Sequence, residues 1–298
     1  MLITDLNWLL ERKQGIGGSD AAVILGLSKW KTPYQLYLDK TSTDVAREDD
    51  SPVIEWGKRL EPVIRQKYVD LTGHTVFVPG DDKIIAHPSI PWMLASLDGI
   101  VNVDGGRVFE AKNSRVGDIW GDPGTDQVPE AYLVQVQHYM GVTGFELADM
   151  AVLLFGHDFR IFEIPRDDDV IGIIMEAEEM FWKRVQDRDP PEPKTLSDLK
   201  LAFGRASKSA KVQATADVIT AWDRLKDLKE LAKEEDELKA VIIKHLGEAD
   251  TLVDGDIVLA TYKATKPGRR VDTDKLKSAG LYEEYSNVTP PTRRLLLK

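Results

Sequence analysis

The sequence predicts an α/β (α+β) fold in which helices flank a mixed central sheet, followed by a long helix and a small β appendage. Helix-like and strand-like hydrophobic patterns alternate up to about residue 190. Three prolines then fall within residues 190–193 and stop any helix. Beyond them, residues 213–246 have the pattern of one long charged helix. The predicted domains are therefore residues 1–189, a proline-rich linker at 190–195, and an extension at 196–298.

Local signals justify the helices in chain order. The helices are expected at residues 6–12, 19–25, from Pro33 onward, and at 52–71, 129–142, 170–187 and 213–246. Ser19 is a candidate N-cap after a glycine loop, and Pro33 suits the first turn of a helix. Pro52 opens an amphipathic helix that Gly73 ends, after an acidic loop at 44–51.

Strands are expected where apolar runs are bounded by turn residues. They are predicted at residues 74–78, 92–103, 106–114, 147–155 and 159–164, with a hairpin at 251–262 and a last strand at 289–298. Residues 104–106, Asp-Gly-Gly, are a hairpin turn signal. The segments 92–103 and 106–114 should therefore pair as antiparallel neighbours.

Composition limits the class of protein. Hydrophobic residues make up 42% of the chain and charged residues 30%, as in globular proteins. Without cysteine, disulfides and thiolate metal sites are excluded, and a cytoplasmic protein is favoured. No apolar run approaches the roughly 20 residues of a membrane helix, and no signal peptide is expected. The net charge of −11 is unusual for a DNA-binding protein, although metal-binding carboxylates add negative charge.

Two acidic residues and a lysine form a candidate catalytic group. Glu110 and Lys112 are two residues apart and project from the same face of a strand, and Asp98 is expected on the adjacent strand. Two carboxylates and an amine together suit Mg²⁺ and phosphodiester hydrolysis. The lysine would orient the attacking water, or help deprotonate it if burial lowers its pKa. Asp, Glu and Lys are common in surface hairpins, but the apolar residues at 93–95 and 108–109 predict central strands.

Further motifs stand in a specific order. They are Arg12-x-x-Gly15-Ile16-Gly17-Gly18-Ser19, Trp56-Gly57-x-x-Leu60-Glu61-Pro62, Asp98-Gly99, Glu110-Ala111-Lys112 and Tyr132-x-x-Gln135-Val136-Gln137. Over roughly residues 5–185, this set resembles the lambda-exonuclease/YqaJ group of the PD-(D/E)xK nuclease superfamily. The resemblance implies a restriction-endonuclease-like fold and a nuclease that uses two Mg²⁺ ions, with Mn²⁺ as a substitute. It further implies a 5′-to-3′ exonuclease on double-stranded DNA ends in phage or prophage recombination.

The resemblance assigns roles residue by residue. Asp98 and Glu110 would bind metal directly, with the Ala111 carbonyl as a third ligand. Glu61 would bind the second ion, directly or through water, and Lys112 would position or activate the water.

The resemblance also implies contacts to DNA. Gln135 is expected in the site, and Tyr132 and Gln137 are carried over as DNA contacts, although Gln135 and Gln137 should face different sides of a helix. Arg12 and Ser19 resemble a pocket for a DNA 5′-phosphate, and for Ser19 the helix cap stays an equal alternative. Backbone N–H groups of residues 15–18 are further candidate phosphate donors. Trp30, between two lysines, is the best candidate for base stacking, and the scattered histidines are not expected to bind metal.

Several alternatives stay open. The same metal site serves an endonuclease, and a non-catalytic DNA-binding or scaffold module is a third reading. A fourth treats the long C-terminal helix as the functional element, through self-association. The implied partners are double-stranded DNA, a single-strand annealing protein and copies of the chain in a trimer, in the cytoplasm of a bacterial host. The extension would brace an oligomer, bind the annealing protein, or contact DNA through Arg269, Arg270, Arg293 and Arg294.

Overall fold

The computed structural model describes residues 3–43, 51–80, 84–204, 211–264 and 271–287. The chain divides into two compact units, Met1–Asp198 and Leu199–Lys298. The predicted linker at 190–195 lies just before this division. Several predicted features lie outside the described residues: most of the loop at 44–51, the arginines at 269, 270, 293 and 294, and the strand at 289–298.

The helices of the first unit confirm the predicted ones. They are α1 Ile3–Lys13, α2 Gly18–Ile24, α3 Pro33–Thr41, α4 Pro52–Thr72, α5 Glu130–Thr143 and α6 Asp168–Asp187. Thr32 caps α3, where its side chain accepts the N–H of Gln35. Ser51 caps α4 in the same way, and Gly73 ends that helix in the left-handed conformation, with φ 73°.

The predicted N-cap of α2 is wrong. Gly17 is the cap residue and Ser19 lies inside the first turn. The Gly17 N–H is donated to the Asp20 carboxylate at 3.1 Å, so the N-cap lies two residues before Ser19 and the first turn of the helix is held by Asp20. The Ser19 hydroxyl is therefore not needed as a cap.

The strands described in the first unit form two sheets. They are β1 Ile16–Gly17, β2 Val76–Phe77, β3 Ile85–Ala86, β4 Met93–Ala95, β5 Gly99–Val101, β6 Arg107–Ser114, β7 Leu147–Leu154 and β8 Asp158–Pro165. The larger sheet has the order β2-β5-β6-β7-β8, with β6 and β7 parallel and the other neighbours antiparallel. The smaller sheet has the order β1-β4-β3. The predicted mixed sheet flanked by helices is confirmed.

One predicted strand is broken in two. Residues 92–103 were expected to run as a single strand, but β4 belongs to the small sheet and β5 to the large one. Asp98 lies in the turn between them, directly before β5, rather than on a strand. At the start of β5, Gly99 packs so closely that a Cβ would meet the Val76 side chain at 2.4 Å. The chain therefore changes sheets at Asp98.

Both faces of the large sheet are covered. On one face, Val108, Met150 and Phe162 pack with Met140 of α5 in the main core. On the other face, Phe109 packs against Ile64 and Tyr68 of α4. Side chains alternate along β6, so Glu110 and Lys112 follow Val108 toward α5. This alternation carries two charged residues toward a covered face.

The second unit contains most of α7, Leu196–Phe203, then α8, Ala216–Leu246, a hairpin and a short helix, α9, Thr273–Ser278. The hairpin pairs β9, Thr251–Asp254, with β10, Ile257–Thr261, as predicted. The apolar positions of α8 are largely exposed, among them Val218, Leu231 and Leu238. No helix in the described ranges combines the length and apolar character that membrane crossing requires.

Candidate active site

A cleft of about 370 Å³ opens where α4, α5 and β6 meet the turn before β5. Its walls contain eight of the residues singled out from the sequence, namely Arg12, Ser19, Glu61, Asp98, Glu110, Ala111, Lys112 and Gln135. These residues come from six separate segments, namely α1, α2, α4, the turn at Asp98, β6 and α5. The fold therefore brings most of the predicted site into one cavity.

Glu110 and Lys112 form the centre of the cleft. The Lys112 ammonium donates to Glu110 Oε1 at 2.5 Å and to Gln135 Oε1 at 3.2 Å. The Gln135 side-chain amide donates to the same Glu110 oxygen at 2.8 Å and to the Tyr139 hydroxyl at 3.1 Å. One carboxylate oxygen of Glu110 is thus held by two donors.

The other two carboxylates are held by different groups. The Ala111 N–H donates to Asp98 Oδ2 at 2.9 Å, which joins the turn to β6. Glu61, on α4, accepts from Arg65 Nη1 at 3.0 Å, and the same nitrogen donates to the Asp98 main-chain carbonyl at 3.1 Å. Helix, turn and strand are therefore linked by hydrogen bonds around the cleft.

The electrostatics of the cleft are unfavourable for its acids. Burial, reinforced by the charge of Asp98, raises the pKa of Glu110 to about 8 despite the attraction of Lys112. Burial also raises the pKa of Asp98, although Lys112 and the Ala111 N–H oppose it. Two carboxyl groups that are buried close together are difficult to ionise at the same time.

Lys112 behaves differently from one sequence expectation. Burial by itself lowers the pKa of an ammonium, but the charges of Glu110 and Asp98 outweigh it and raise the pKa of Lys112. In this cleft the lysine is therefore a protonated donor. It is suited to orienting water and stabilising negative charge, and not to removing a proton.

The donor set fits a divalent cation. Glu110 Oε2 is buried without a hydrogen-bond partner among the described residues, so one anionic oxygen lacks compensation. No three His, Cys, Asp or Glu side chains of the described chain are grouped to hold a metal by themselves. Mg²⁺ usually needs only one or two carboxylates and completes its shell with water and substrate phosphate. Asp98 and Glu110 meet that requirement.

Arg12 and Ser19 meet at the end of the cleft formed by α1 and α2. The Arg12 guanidinium donates to the Ser19 hydroxyl at 3.0 Å and lies 4.7 Å from the centre of the Trp8 ring. A cation and an exposed hydroxyl side by side suit an anionic oxygen group.

The glycines of residues 15–18 serve packing more than anion binding. A Cβ on Gly15 would meet the Trp92 carbonyl at 2.2 Å, and one on Gly18 would meet the Tyr139 ring at 2.6 Å. The Gly17 N–H is already donated to Asp20. The predicted role of this N–H as a phosphate donor is therefore wrong.

Three predicted DNA contacts lie outside the cleft lining. Tyr132 lies beside it, where its ring is 4.9 Å from the Lys112 ammonium and stacks on Trp120. Gln137 is buried, donates to the Pro165 carbonyl at 2.8 Å and accepts the Asp167 N–H, so its amide is used inside the fold. Trp30 is 94% exposed and is free to stack, away from the cleft.

Two residues near the site were missed by the sequence reasoning. Arg65 follows Glu61 by four residues, and Tyr139 follows Gln135 by four, the spacing that places side chains on one helix face. That spacing was available as a signal. What the sequence lacked was any sign that the Asp98 carbonyl would lie against Arg65.

Comparison with known proteins gives the family. A model of the YqaJ-like viral recombinase domain matches residues 7–146. The Bacillus subtilis (strain 168) protein YqaJ is 34% identical over 301 aligned positions, covering 95% of this chain and 91% of that protein.

Among solved structures, an alkaline exonuclease (LHK-Exo) from Laribacter hongkongensis matches at 22% identity with a TM-score of 0.48, over 61% of this chain and 93% of its own. A phage related exonuclease from Haemophilus somnus 129PT matches at 16% identity and 0.43, over 58% and 96%. The B. subtilis relative shows, in agreement with the family model, that the chain belongs to the YqaJ-like viral recombinase family.

Proposed function

We propose that this chain is a Mg²⁺-dependent DNA nuclease of phage-type recombination, and specifically a 5′-to-3′ exonuclease on double-stranded DNA ends. The observation that carries the proposal is the buried Glu110 carboxylate. One of its oxygens has no hydrogen-bond partner in the part of the chain that the structure describes, and it shares a cleft with Asp98 and Lys112. Membership of a viral recombinase family supports DNA as the substrate.

The cation would be held by Asp98, Glu110 and the Ala111 carbonyl, with Glu61 as the ligand of a second ion. When bound, Mg²⁺ lowers the pKa of water and neutralises charge on a phosphate. Mn²⁺, which favours similar oxygen ligands, would substitute. The reaction is direct hydrolysis by water, without a covalent enzyme intermediate.

The side chains of the cleft supply orientation and charge. Lys112, protonated, would donate to the attacking water or to a phosphate oxygen and stabilise the negative charge that develops. Gln135 bonds to both Glu110 and Lys112, so it holds the two in one geometry. Tyr132 sits over the ammonium and limits where it can move.

The Arg12 and Ser19 pair supports the choice of an exonuclease. Both line the same cleft as the carboxylates. A phosphate held there would lie in the same cleft as the hydrolytic groups. This arrangement suits the end of a DNA strand better than a continuous duplex. Trp30 would add stacking outside the cleft. An annealing-protein partner, a homotrimer and the cytoplasm of a bacterial host complete the proposal.

The test is digestion of linear and closed circular duplex DNA by wild type and Lys112→Ala, with Mg²⁺ and with EDTA. We expect loss of linear DNA only, dependent on Mg²⁺, and a rate about 10²- to 10⁴-fold lower in the variant. Lys183→Ala is the matched control, because Lys183 is an exposed lysine on α6 that pairs with nearby Asp187. Its rate should equal that of wild type.

Other outcomes separate the alternatives. Strand polarity follows from comparing 5′-labelled with 3′-labelled linear DNA. Nicking of closed circles would replace the exonuclease with an endonuclease on the same site. If neither substrate is cut in Mg²⁺ or Mn²⁺, the catalytic proposal is wrong, and a binding or scaffold role takes its place.

A further inference from the structure

We propose that Arg65 is a positioning residue that ties Glu61 on α4 to the turn carrying Asp98, so that the carboxylates of the proposed two-ion site keep their relative positions. This inference rests on the proposed function. It concerns a residue that touches neither substrate nor the reacting atoms in the account above.

The tie is made by a single nitrogen. Arg65 Nη1 donates to Glu61 Oε1 at 3.0 Å and to the main-chain carbonyl of Asp98 at 3.1 Å, across 33 residues of sequence. Its side chain is 20% exposed, so water competes for these bonds only in part. One guanidinium therefore fixes the distance between a helix and a turn that have no backbone hydrogen bond in common.

An ordinary ion pair on the same helix makes the contrast. Arg59 and Glu55 form the same i,i+4 arrangement, but their side chains are 65% and 57% exposed and the pair lies within one helix turn. Such an exposed pair stabilises its own helix only weakly. Arg65 differs because its second acceptor belongs to another element of the site.

The position of Arg65 along α4 explains why a tie is needed there. One turn later, the Tyr68 hydroxyl bonds to buried Asp149 of β7, and Ile64 packs in the core. Toward the N-terminus, Val53 and Trp56 are exposed, and α4 is less covered. Glu61 thus lies where the anchored part of the helix gives way to the uncovered part.

Proline strengthens that argument. Pro62 lies inside α4 and has no N–H to donate, so the helix backbone is weakened next to Glu61. Arg65 bonds to the Glu61 side chain from the following turn, so Glu61 is held at the point where the helix backbone lacks that bond. Carboxylates that bind metals are themselves commonly hydrogen-bonded, and loss of such an outer partner typically costs 10- to 100-fold in metal affinity.

The experiment is a Mn²⁺ titration of the full chain without DNA, by calorimetry or electron paramagnetic resonance. Arg65→Met should weaken the apparent Kd for Mn²⁺ about 10- to 100-fold, while the melting temperature in EDTA changes little. Arg59→Met, which removes an arginine from the same helix, should bind Mn²⁺ like wild type. In DNA digestion, the Mg²⁺ concentration for half-maximal rate should rise for Arg65→Met.

Arg65→Lys decides the case if the methionine variant does not fold. It keeps the charge, but its shorter ammonium side chain is not expected to span both acceptors, so it too should lose affinity. Wild-type or tighter binding by a folded Arg65 variant would overturn the inference, because Arg65 would then be only a competing cation. If wild type itself binds no Mn²⁺, the proposed function fails instead, which keeps the two failures distinguishable.

Discussion

Two buried acids of the first unit, Asp20 and Glu110, have pKa values that are shifted in opposite directions. Asp20 is 7% exposed and Glu110 1%. Each forms an ion pair with a lysine, Lys40 at 2.7 Å and Lys112 at 2.5 Å. Yet the pKa of Asp20 is lowered, whereas that of Glu110 is raised to about 8.

The number and sign of the neighbours explain the difference. Burial raises the pKa of Asp20, but the charges of Lys40 and Arg12 and the Gly17 N–H outweigh it. Glu110 has a single cationic partner, faces the like charge of Asp98, and keeps one oxygen without a partner among the described residues. Asp20 is arranged for stability. Glu110 keeps an unsatisfied carboxylate oxygen among the described residues, as the proposed metal site requires.

The largest effect on stability is expected at the ion pair between Asp20 and Lys40. Asp20→Asn leaves buried Lys40 without its counter-ion and should lower the free energy of unfolding at pH 7 by about 3 kcal/mol. Urea unfolding followed by circular dichroism measures this change. Asp39→Asn is the control, since Asp39 pairs with Lys31 at the surface and should change the free energy by less than about 1 kcal/mol.

The same variant has a defined pH dependence. The folded pKa of Asp20 lies below its ordinary value of 3.8, so its charge contributes stability above that pH. That contribution is lost as the pH falls through the lowered folded pKa. The difference between wild type and Asp20→Asn should therefore be full at pH 6 and smaller below pH 4. A difference that grows on acidification would contradict the assignment.

A smaller effect of opposite sign is expected at the unsatisfied acid. Because the folded pKa of Glu110 is raised from 4.5 to about 8, its contribution to stability is present below pH 4.5 and lost as the pH rises through about 8. In EDTA, Glu110→Gln should therefore be more stable than wild type at pH 8.5, by about 2 kcal/mol. The gain should disappear near pH 4.5.

Bound metal should reverse the order of stability of wild type and Glu110→Gln. Mg²⁺ should raise the melting temperature of wild type and leave that of Glu110→Gln almost unchanged, because ligands stabilise only the state that binds them. Thermal unfolding at pH 8.5 with Mg²⁺ and with EDTA measures the melting temperatures of both proteins in both conditions. If Glu110→Gln is less stable than wild type in EDTA, the contrast drawn between Glu110 and Asp20 is wrong.

The smallest effect separates the two glutamines of α5. Gln137→Leu removes two hydrogen bonds to the backbone of residues 165 and 167 and should cost about 1 kcal/mol of stability. Its DNA affinity, measured by anisotropy with Ca²⁺ in place of Mg²⁺, should be unchanged. Gln135→Leu should impair cleavage. A tenfold loss of DNA affinity in Gln137→Leu, with stability retained, would restore its predicted role as a DNA contact.

Local signals account for what the sequence predicted well. The bounds of α3 and α4 follow from Thr32, Ser51 and Gly73, whose effects reach only a few residues. The common side of Glu110 and Lys112 follows from strand alternation, which needs no partner. Neither depends on which other segments fold nearby.

The failures depended on distant partners. Residues 92–103 are apolar enough for one strand, but β4 and β5 pair with different neighbours, and pairing is a long-range choice. Gln137 matched a family pattern, yet its amide is used by residues 165 and 167. Arg65 has an ordinary helix spacing, and only the folded chain brings it to the Asp98 carbonyl.

The sequence by itself determined the helices, the order of the motifs and the identity of the acids and the lysine, because these depend on residue type and short spacing. Tertiary structure decided the pKa values of the acids and the lysine. A pKa depends on burial and on every charge within a few ångströms. The raised pKa of Lys112, the unpartnered oxygen of Glu110 and the contrast with Asp20 arise only when separate segments enclose one cleft.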